Sequence, residues 1–386
     1  MTRLKGFDGL RAIAALSIVV LHTTSATGAS VTGTFARYFA RFDAGVAIFF
    51  VISAFLLYRP FLRAHLDAAP KVAVGNFYWR RAVRIYPAYW VALTVVIVIF
   101  GNAHISGIGQ YFLHYGLIQI YTPKLLAGII PAWTLAVEVS FYALLPLYAW
   151  LLGRLTASRS LATRVNIELG AAVIVMMSSL AARTVVGAVS GTDTYRLKWL
   201  PFMADWFAFG FVLAIGAVAV ERGIASARLS REVGFADRHP GIVALIGLAA
   251  FLVAAHIGLP LTFTAGTVLQ DVTRQFAYGV MAFSFVAIAA WRTTSGGAIR
   301  GFLDSRVMIA LGTISYGVFL WHYDLLHQLL RWNFTEHVRT LTTPALLFVV
   351  FVAAIVFATA SWFLVEKPLL RWARDPKKVP TDRSAA

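Results

Sequence analysis

FDGLRAIAALSIVVLHTTS, residues 7–25, is an apolar run that carries Asp8 and Arg11 at one end and His22 near the other. A helix needs about 20 mostly apolar residues to cross a bilayer, and this run supplies them. Hydrocarbon does not solvate charge, so ionisable side chains inside such a segment call for a partner or a function. At 3.6 residues per turn, Arg11 and His22 fall within roughly 20° of each other on one face, with His22 about 16 Å further along the axis. Asp8 lies one turn before Arg11 on nearly the same side. Two readings fit this helix alone: a polar face with a function, or a histidine bonded between helices beside an arginine that snorkels to headgroups.

The rest of the chain sets the class. Of its 386 residues, 59% are hydrophobic and 13% charged, where soluble domains are closer to half and a quarter. The chain therefore reads as an all-α, polytopic membrane protein. It has no cysteine, which excludes a disulfide framework and Cys-ligated zinc or iron–sulfur sites. The first apolar run is followed by further helices rather than a secreted domain, so it is expected to be kept and not cleaved as a signal peptide.

Apolar segments of spanning length occur near 9–26, 43–62, 86–104, 130–152, 167–188, 200–221, 240–258, 271–291, 307–329 and 344–365, which predicts about ten transmembrane helices. Residues 108–121, IGQYFLHYGLIQIY, are too short and polar to join them and read as an interfacial or re-entrant piece. With the N-terminus inside, 25 of the 34 Lys and Arg residues fall in cytoplasmic connections and the tail, and 7 fall outside. That asymmetry predicts an N-in, C-in topology. The net charge of +17 thus reads as orientation and lipid-headgroup attraction, not nucleic-acid binding. Residues 1–368 are expected to form one transmembrane domain, with 369–386 a short basic cytoplasmic tail. No internal repeat is visible.

Three further clusters carry ionisable groups. In NFYWRRAVRIYPAYW, residues 76–90, Arg80, Arg81 and Arg84 precede Pro87. Arg81 and Arg84 share a helical face and can grip phosphate oxygens with forked hydrogen bonds. Alone, the pattern reads more simply as a positive-inside flank between aromatic interface anchors. In PAWTLAVEVSFYALLP, residues 131–146, Glu138 sits about two turns inside its helix, flanked by Trp133 and Tyr142. It reads as functional, or as half of an ion pair with Arg183 or Arg274. In LGTISYGVFLWHYDLLH, residues 311–327, come Ser315, Tyr316, His322, Asp324 and His327. Their spacing is not that of a metal-ligand pair, and no metal is expected. His65, His104, His114, His239 and His256 are scattered and read as loop or interfacial residues. Counted from the span ends, His22, Glu138 and His322 come to similar depths, about 18–22 Å from the inner face.

These residues together resemble the acyltransferase 3 family of bacterial integral-membrane O-acyltransferases. The resemblance runs from Asp8 to VEKP at 365–368. It rests on Arg11-x10-His22, on Arg81-x-x-Arg84 before a proline, on W-T-L-x-x-E from Trp133 to Glu138, and on S-Y-x-x-F-L-x-H from Ser315 to His322. One departure is Ala47, where the family often has an acidic residue before paired phenylalanines, and SAFL from Ser53 replaces the more usual SGFL. The resemblance implies an acyl-CoA co-substrate, acetyl-CoA first among them, entering from the cytosol. Arg81, Arg84 and Arg11 would hold its phosphates, and His22 would act as general base with Glu138 orienting or balancing it. Ser315, Tyr316 and His322, with Trp133 and Asp8, would serve the oxyanion or the acceptor. The implied acceptor is a carbohydrate or glycolipid hydroxyl, the location the bacterial cytoplasmic membrane. Many relatives carry an extracytoplasmic hydrolase-like domain absent from these residues, so acceptor binding is expected to use the membrane domain or a separate extracytoplasmic partner protein. The main alternative is a transporter or flippase for an anionic solute or lipid-linked sugar, using the same buried charges as a path; a membrane scaffold, whose charges pair only with one another, is a third.

Overall fold

A peptide group in hydrocarbon finds no water to bond, so each crossing segment must close its hydrogen bonds internally as helix. The computed structural model describes residues 4–66, 70–103, 105–124, 126–261, 264–293, 296–332 and 343–373, and these contain helices and no strand. The principal helices are α1 (Phe7–Ala26), α2 (Gly45–Leu66), α3 (Val74–Val95), α4 (Ile108–Tyr115), α5 (Trp133–Thr156), α6 (Leu161–Ser190), α7 (Ala204–Glu221), α8 (Ala227–Arg238), α9 (Pro240–His256), α10 (Val268–Ala290), α11 (Arg306–Arg331) and α12 (Thr343–Ser361). The last span continues through a π-helical turn, Trp362–Glu366, into Lys367–Trp372. Residues 374–386, most of the expected tail, lie outside the described residues, as does His104.

Among the described residues, eight helices are long and apolar enough to cross a membrane, or nine if α8 and α9, bent by 93°, make one span. The remaining expected segment, 307–329, falls on α11, which has 26 residues but is too polar to join the eight. Each of the ten expected segments therefore lies on a helix, and eight meet the criterion for crossing. The 108–121 segment begins with α4, whose 8 residues are too few to span.

The contacts divide the chain into two units, residues 1–70 with 147–313 and residues 71–146 with 314–386, so the division falls inside α5 and α11. In the first unit, α2, α7 and α10 pack on one another, with α1 against α2, α6 against α7 and α9 against α10. Aromatic rings join this core: Phe50 stacks on Phe207 at 4.6 Å, and the half-buried Tyr148 on Phe211 at 5.0 Å.

Helix α1 is held at backbone distance from its neighbours. A Cβ at residue 312 would lie 2.0 Å from the Asp8 carbonyl oxygen, and one at residue 45 would lie 2.6 Å from the Ala14 carbonyl oxygen. Only glycine allows helices to approach so closely, and small residues at such crossings let van der Waals packing hold helices together where lipid supplies no hydrophobic drive. The two glycines thereby fix where Asp8 and Arg11 sit.

In the second unit, aromatic side chains of α3 bind the C-terminal end of α4. Tyr89 donates to the His114 carbonyl at 2.8 Å, Trp90 to Tyr115 at 2.9 Å and Tyr86 to Gly116 at 3.2 Å. The last four carbonyls of a helix have no intrahelical partner, and these donors reach two of them, at His114 and Tyr115, and the carbonyl of the following residue, Gly116. The sequence suggested interface anchors for these aromatics; the structure uses them as a cap.

The α1 packing predicts that Gly312→Ala destabilises the protein by about 1–3 kcal/mol through overpacking. Gly170→Ala, where a Cβ meets nothing within 4 Å, should be neutral or slightly stabilising. Thermal unfolding of the detergent-purified variants checks both, and equal midpoints would refute the close-approach argument.

Candidate active site

In the first unit, α1 runs without a break from Phe7 to Ala26, so Arg11 and His22 do lie on one continuous helix. Asp8 is buried, and its Oδ1 accepts from Arg11 Nη1 at 3.2 Å. The guanidinium is thus braced at its own end of the helix. His22 is half-buried, and the next two residues, Thr23 and Thr24, are buried. Thr24 Oγ1 bonds back to the Val20 carbonyl at 2.7 Å, so its hydroxyl is satisfied by its own helix.

In the second unit, α3 carries the arginines with Pro87 inside the helix. Arg80 is exposed while Arg81 and Arg84 are half-buried, which separates the pair from its neighbour as the i, i+3 spacing predicts. The Arg84 guanidinium lies 5.9 Å from the centre of the Tyr316 ring, within cation–π range. Tyr316 donates its hydroxyl to the Ile85 carbonyl at 2.7 Å. The charges of Glu366, Arg84 and Glu138 all act on Tyr316, so this unit brings together three of the residues singled out in the sequence and adds Glu366. Glu366 is buried, and neither of its carboxylate oxygens accepts a hydrogen bond from the described residues. Its only sequence signal is its place in VEKP.

Glu138 is half-buried near the start of α5, and its Oε1 accepts from Tyr142 one turn on at 2.5 Å. Trp133 opens that helix. On α11, Ser315 and His322 are buried, and His322 Nδ1 donates to the Val318 carbonyl at 3.0 Å. A carbonyl can only accept, so in the neutral ring the Nε2 carries the lone pair.

Other buried charges are paired. Arg183 and Arg274, the candidate partners of Glu138, are both taken by Asp271. Arg183 binds it in a fork at 2.7 and 3.0 Å, and Arg274 binds it at 2.6 Å. Arg183 also donates to the Leu197 and Phe202 carbonyls. Burial first, then the neighbouring charges of Arg274 and Arg183, pull the nearby Lys198 ammonium down to about 8. His65 lies 3.5 Å from Glu168, which also accepts from the Tyr58 hydroxyl. His114, buried against α3, donates from Nδ1 to the Gln110 carbonyl at 2.9 Å, and burial pushes its imidazole below the usual range. His65 and His114 are therefore packed, bonded residues rather than loop residues. No group of His, Asp or Glu capable of holding a metal ion occurs among the described residues.

The family of acyltransferase domains called acyltransferase 3 matches residues 4–364. The chain is 23% identical to Nodulation protein 10 of Rhizobium leguminosarum bv. viciae over 95% of its own length and 93% of that protein's. It is 25% identical to acyltransferase MdmB of Streptomyces mycarofaciens, over 96% of its length and 92% of the relative's. It is 24% identical to O-acetyltransferase OatA of Staphylococcus aureus, over 84% of its length but 50% of the relative's. No solved structure matches.

The Asp271 pair predicts a structural, non-catalytic role for Arg183. Arg183→Ala leaves a buried carboxylate short of a partner and should lower stability by about 3–5 kcal/mol. Arg183→Met combined with Asp271→Leu should recover most of that loss in a thermal melt, because an apolar pair can replace a buried ion pair. A double variant no more stable than Arg183→Ala would refute this role.

Proposed function

The chain belongs to the acyltransferase 3 family, and on that premise we propose that it transfers an acyl group, acetyl first, from cytosolic acyl-CoA to a hydroxyl of a carbohydrate or glycolipid acceptor. That it is an acyltransferase with membrane-spanning helices follows from the family and the eight candidate spans. The donor, the acceptor and the residue roles are the proposal. The observation that carries it is the continuous α1: a half-buried Arg11 salt-bridged to the buried Asp8 near one end, and His22 on the same face about 16 Å along the axis. That separation is of the order of an extended pantetheine arm.

In this reading the half-buried face of Arg81 and Arg84 holds the CoA phosphates, for which forked guanidinium bonds are suited. His22 takes the proton of the acceptor hydroxyl as that oxygen attacks the thioester carbonyl. The tetrahedral intermediate collapses, the C–S bond breaks, and the departing CoA thiolate takes up a proton. Glu138 and Tyr316 lie within each other's electrostatic reach and, with Ser315 and His322, supply hydrogen bonds and charge near the carbonyl or the acceptor. Asp8 acts by bracing Arg11, and Trp133 acts beside Glu138 at the start of α5.

The proposed frame is ten spans with N-in and C-in topology in a bacterial cytoplasmic membrane, one domain over residues 1–368 and a cytoplasmic tail from 369. The O-acetyltransferase relative favours acetyl as the group moved. Where an acceptor lies beyond the membrane, a separate extracytoplasmic partner is proposed to present it.

His22→Gln should reduce transfer from acetyl-CoA by about a hundredfold or more at normal expression, as loss of a general base does. Arg84→Ala and Arg81→Ala should raise the KM for acyl-CoA about tenfold while leaving acceptor dependence near that of the parent protein. Radiolabelled acetyl-CoA with detergent-purified protein reads both; full activity in His22→Gln would remove it from the chemistry. Solute uptake into vesicles with no acyl transfer would favour a transporter instead.

A further inference from the structure

A cavity of about 360 Å³ opens in the second unit, lined by residues of two chain segments, 101–130 and 323–331. Its size lies at the lower end of small-ligand pockets, about 300–1,000 Å³, large enough for a sugar ring and too small for a whole CoA. Tyr323, Asp324, His327 and Arg331 line it from α11. On a helix these four fall within roughly 100° of one another, so they present a single polar face.

The rim is braced before any ligand arrives. Arg331 donates to the Asn102 Oδ1 at 2.7 Å and to the Gly101 carbonyl at 3.1 Å, and Asn102 Nδ2 donates to the Asp324 carbonyl at 3.1 Å. Arg331 Nη1 and both ends of the Asn102 amide are therefore engaged by the protein itself. Asp324 is 3% exposed, lines the cavity, and its Oδ2 accepts no hydrogen bond from the described residues. A buried carboxylate oxygen without a donor is disfavoured, and a ligand that brings donors relieves it. Beside it the Tyr323 and His327 rings pack with centroids 4.4 Å apart and planes inclined by 36°, which gives the cavity a broad ring surface.

The ligand that matches is uncharged, compact, rich in hydroxyl donors and apolar on one face, which describes a pyranose ring. A cation is a poorer match, since the described residues provide no cluster of His, Asp or Glu that could hold a metal. Tyr316 lies seven residues before Tyr323, within roughly 20° on the same face of α11 and about 10 Å along it. The cavity thus sits above the tyrosine on which Arg84, Glu138 and Glu366 act.

We propose that this cavity is the acceptor pocket, which binds a sugar ring through hydroxyl bonds to Asp324 and ring contact with Tyr323 and His327. This rests on the acyltransferase reading above, and its test keeps the two apart. The probes are methyl glucopyranoside, methyl mannopyranoside, methyl rhamnopyranoside and the methyl glycoside of N-acetylglucosamine. Saturation-transfer NMR is run on the full chain in phosphatidylcholine nanodiscs. At least one probe should bind. Asp324→Asn should weaken that binding about tenfold, the effect of losing a hydrogen bond to a charged acceptor. Leu126→Trp, at an exposed lining position, should block it without touching buried charge.

Acetyl transfer from acetyl-CoA to the bound probe, read on the same samples, should show the acceptor KM raised about tenfold in both variants and the KM for acetyl-CoA within about twofold of the parent. Absence of binding by every probe, or binding unchanged in both variants, overturns the pocket whatever the transfer. Probe binding in the parent protein without acetyl transfer to any probe overturns the transferase reading while leaving the pocket to stand on binding alone. If nanodiscs with phosphatidylglycerol abolish probe binding, the hydroxyls belong to a lipid headgroup and the sugar assignment fails.

Discussion

Hydrocarbon cannot solvate a charge, and every ionisable side chain within these helices answers to that constraint. The answer at Asp271 is complete: two guanidiniums converge on one carboxylate, and the Arg183 side chain spends its remaining donors on the Leu197 and Phe202 carbonyls. Asp205 is met on one oxygen only: Gln275 at 2.9 Å and Ser179 at 3.2 Å both donate to its Oδ1, while Oδ2 accepts no hydrogen bond from the described residues. Such clusters tie α6, α7 and α10 together. A buried pair of this kind adds less to net stability than its removal takes away, because the lone survivor is the unfavourable state. Its effect is to make one arrangement of helices far better than its neighbours.

The same constraint explains how much could be read from residues alone. Hydropathy marks where the chain must be helical, so all ten apolar segments coincide with helices, and the i, i+3 rule separated Arg81 and Arg84 from the exposed Arg80. One-dimensional spacing tells which residues share a face of one helix. It does not tell which faces meet. The contact of Asn102 with Asp324 joins residues 222 apart, and Arg183 reaches Asp271 across 88. Spacing therefore leaves Arg183 and Arg274 as candidate partners of Glu138, although both bind Asp271 on α10. The capping of α4 by Tyr86, Tyr89 and Trp90 was hidden for a related reason. Aromatic residues near a membrane interface have a general explanation that masks a specific hydrogen-bonding one.

Glycine carried a signal that composition obscures. Gly45 and Gly312 look unremarkable among 29 glycines, yet a methyl group at either would strike a carbonyl of α1. The helix with Arg11 and His22 is thus located in part by absent side chains, beside contacts such as the stacking of Phe7 on Phe55 at 5.1 Å. Such close backbone approach is how helices pack where lipid supplies no hydrophobic drive.

Partner accounting then sorts the remaining charges. Asp271 is saturated by protein groups, whereas Asp324 Oδ2 and both Glu366 oxygens accept no hydrogen bond from the described residues. A buried carboxylate oxygen of the second kind calls for a donor or a compensating charge. Glu366 has the field of Arg84 to compensate it. Asp324 keeps an oxygen that accepts no hydrogen bond from the described residues, and it lines a cavity. The two carboxylates thus mark different demands within one unit: one is answered by a neighbouring guanidinium, and the other is left open to whatever donor the cavity admits.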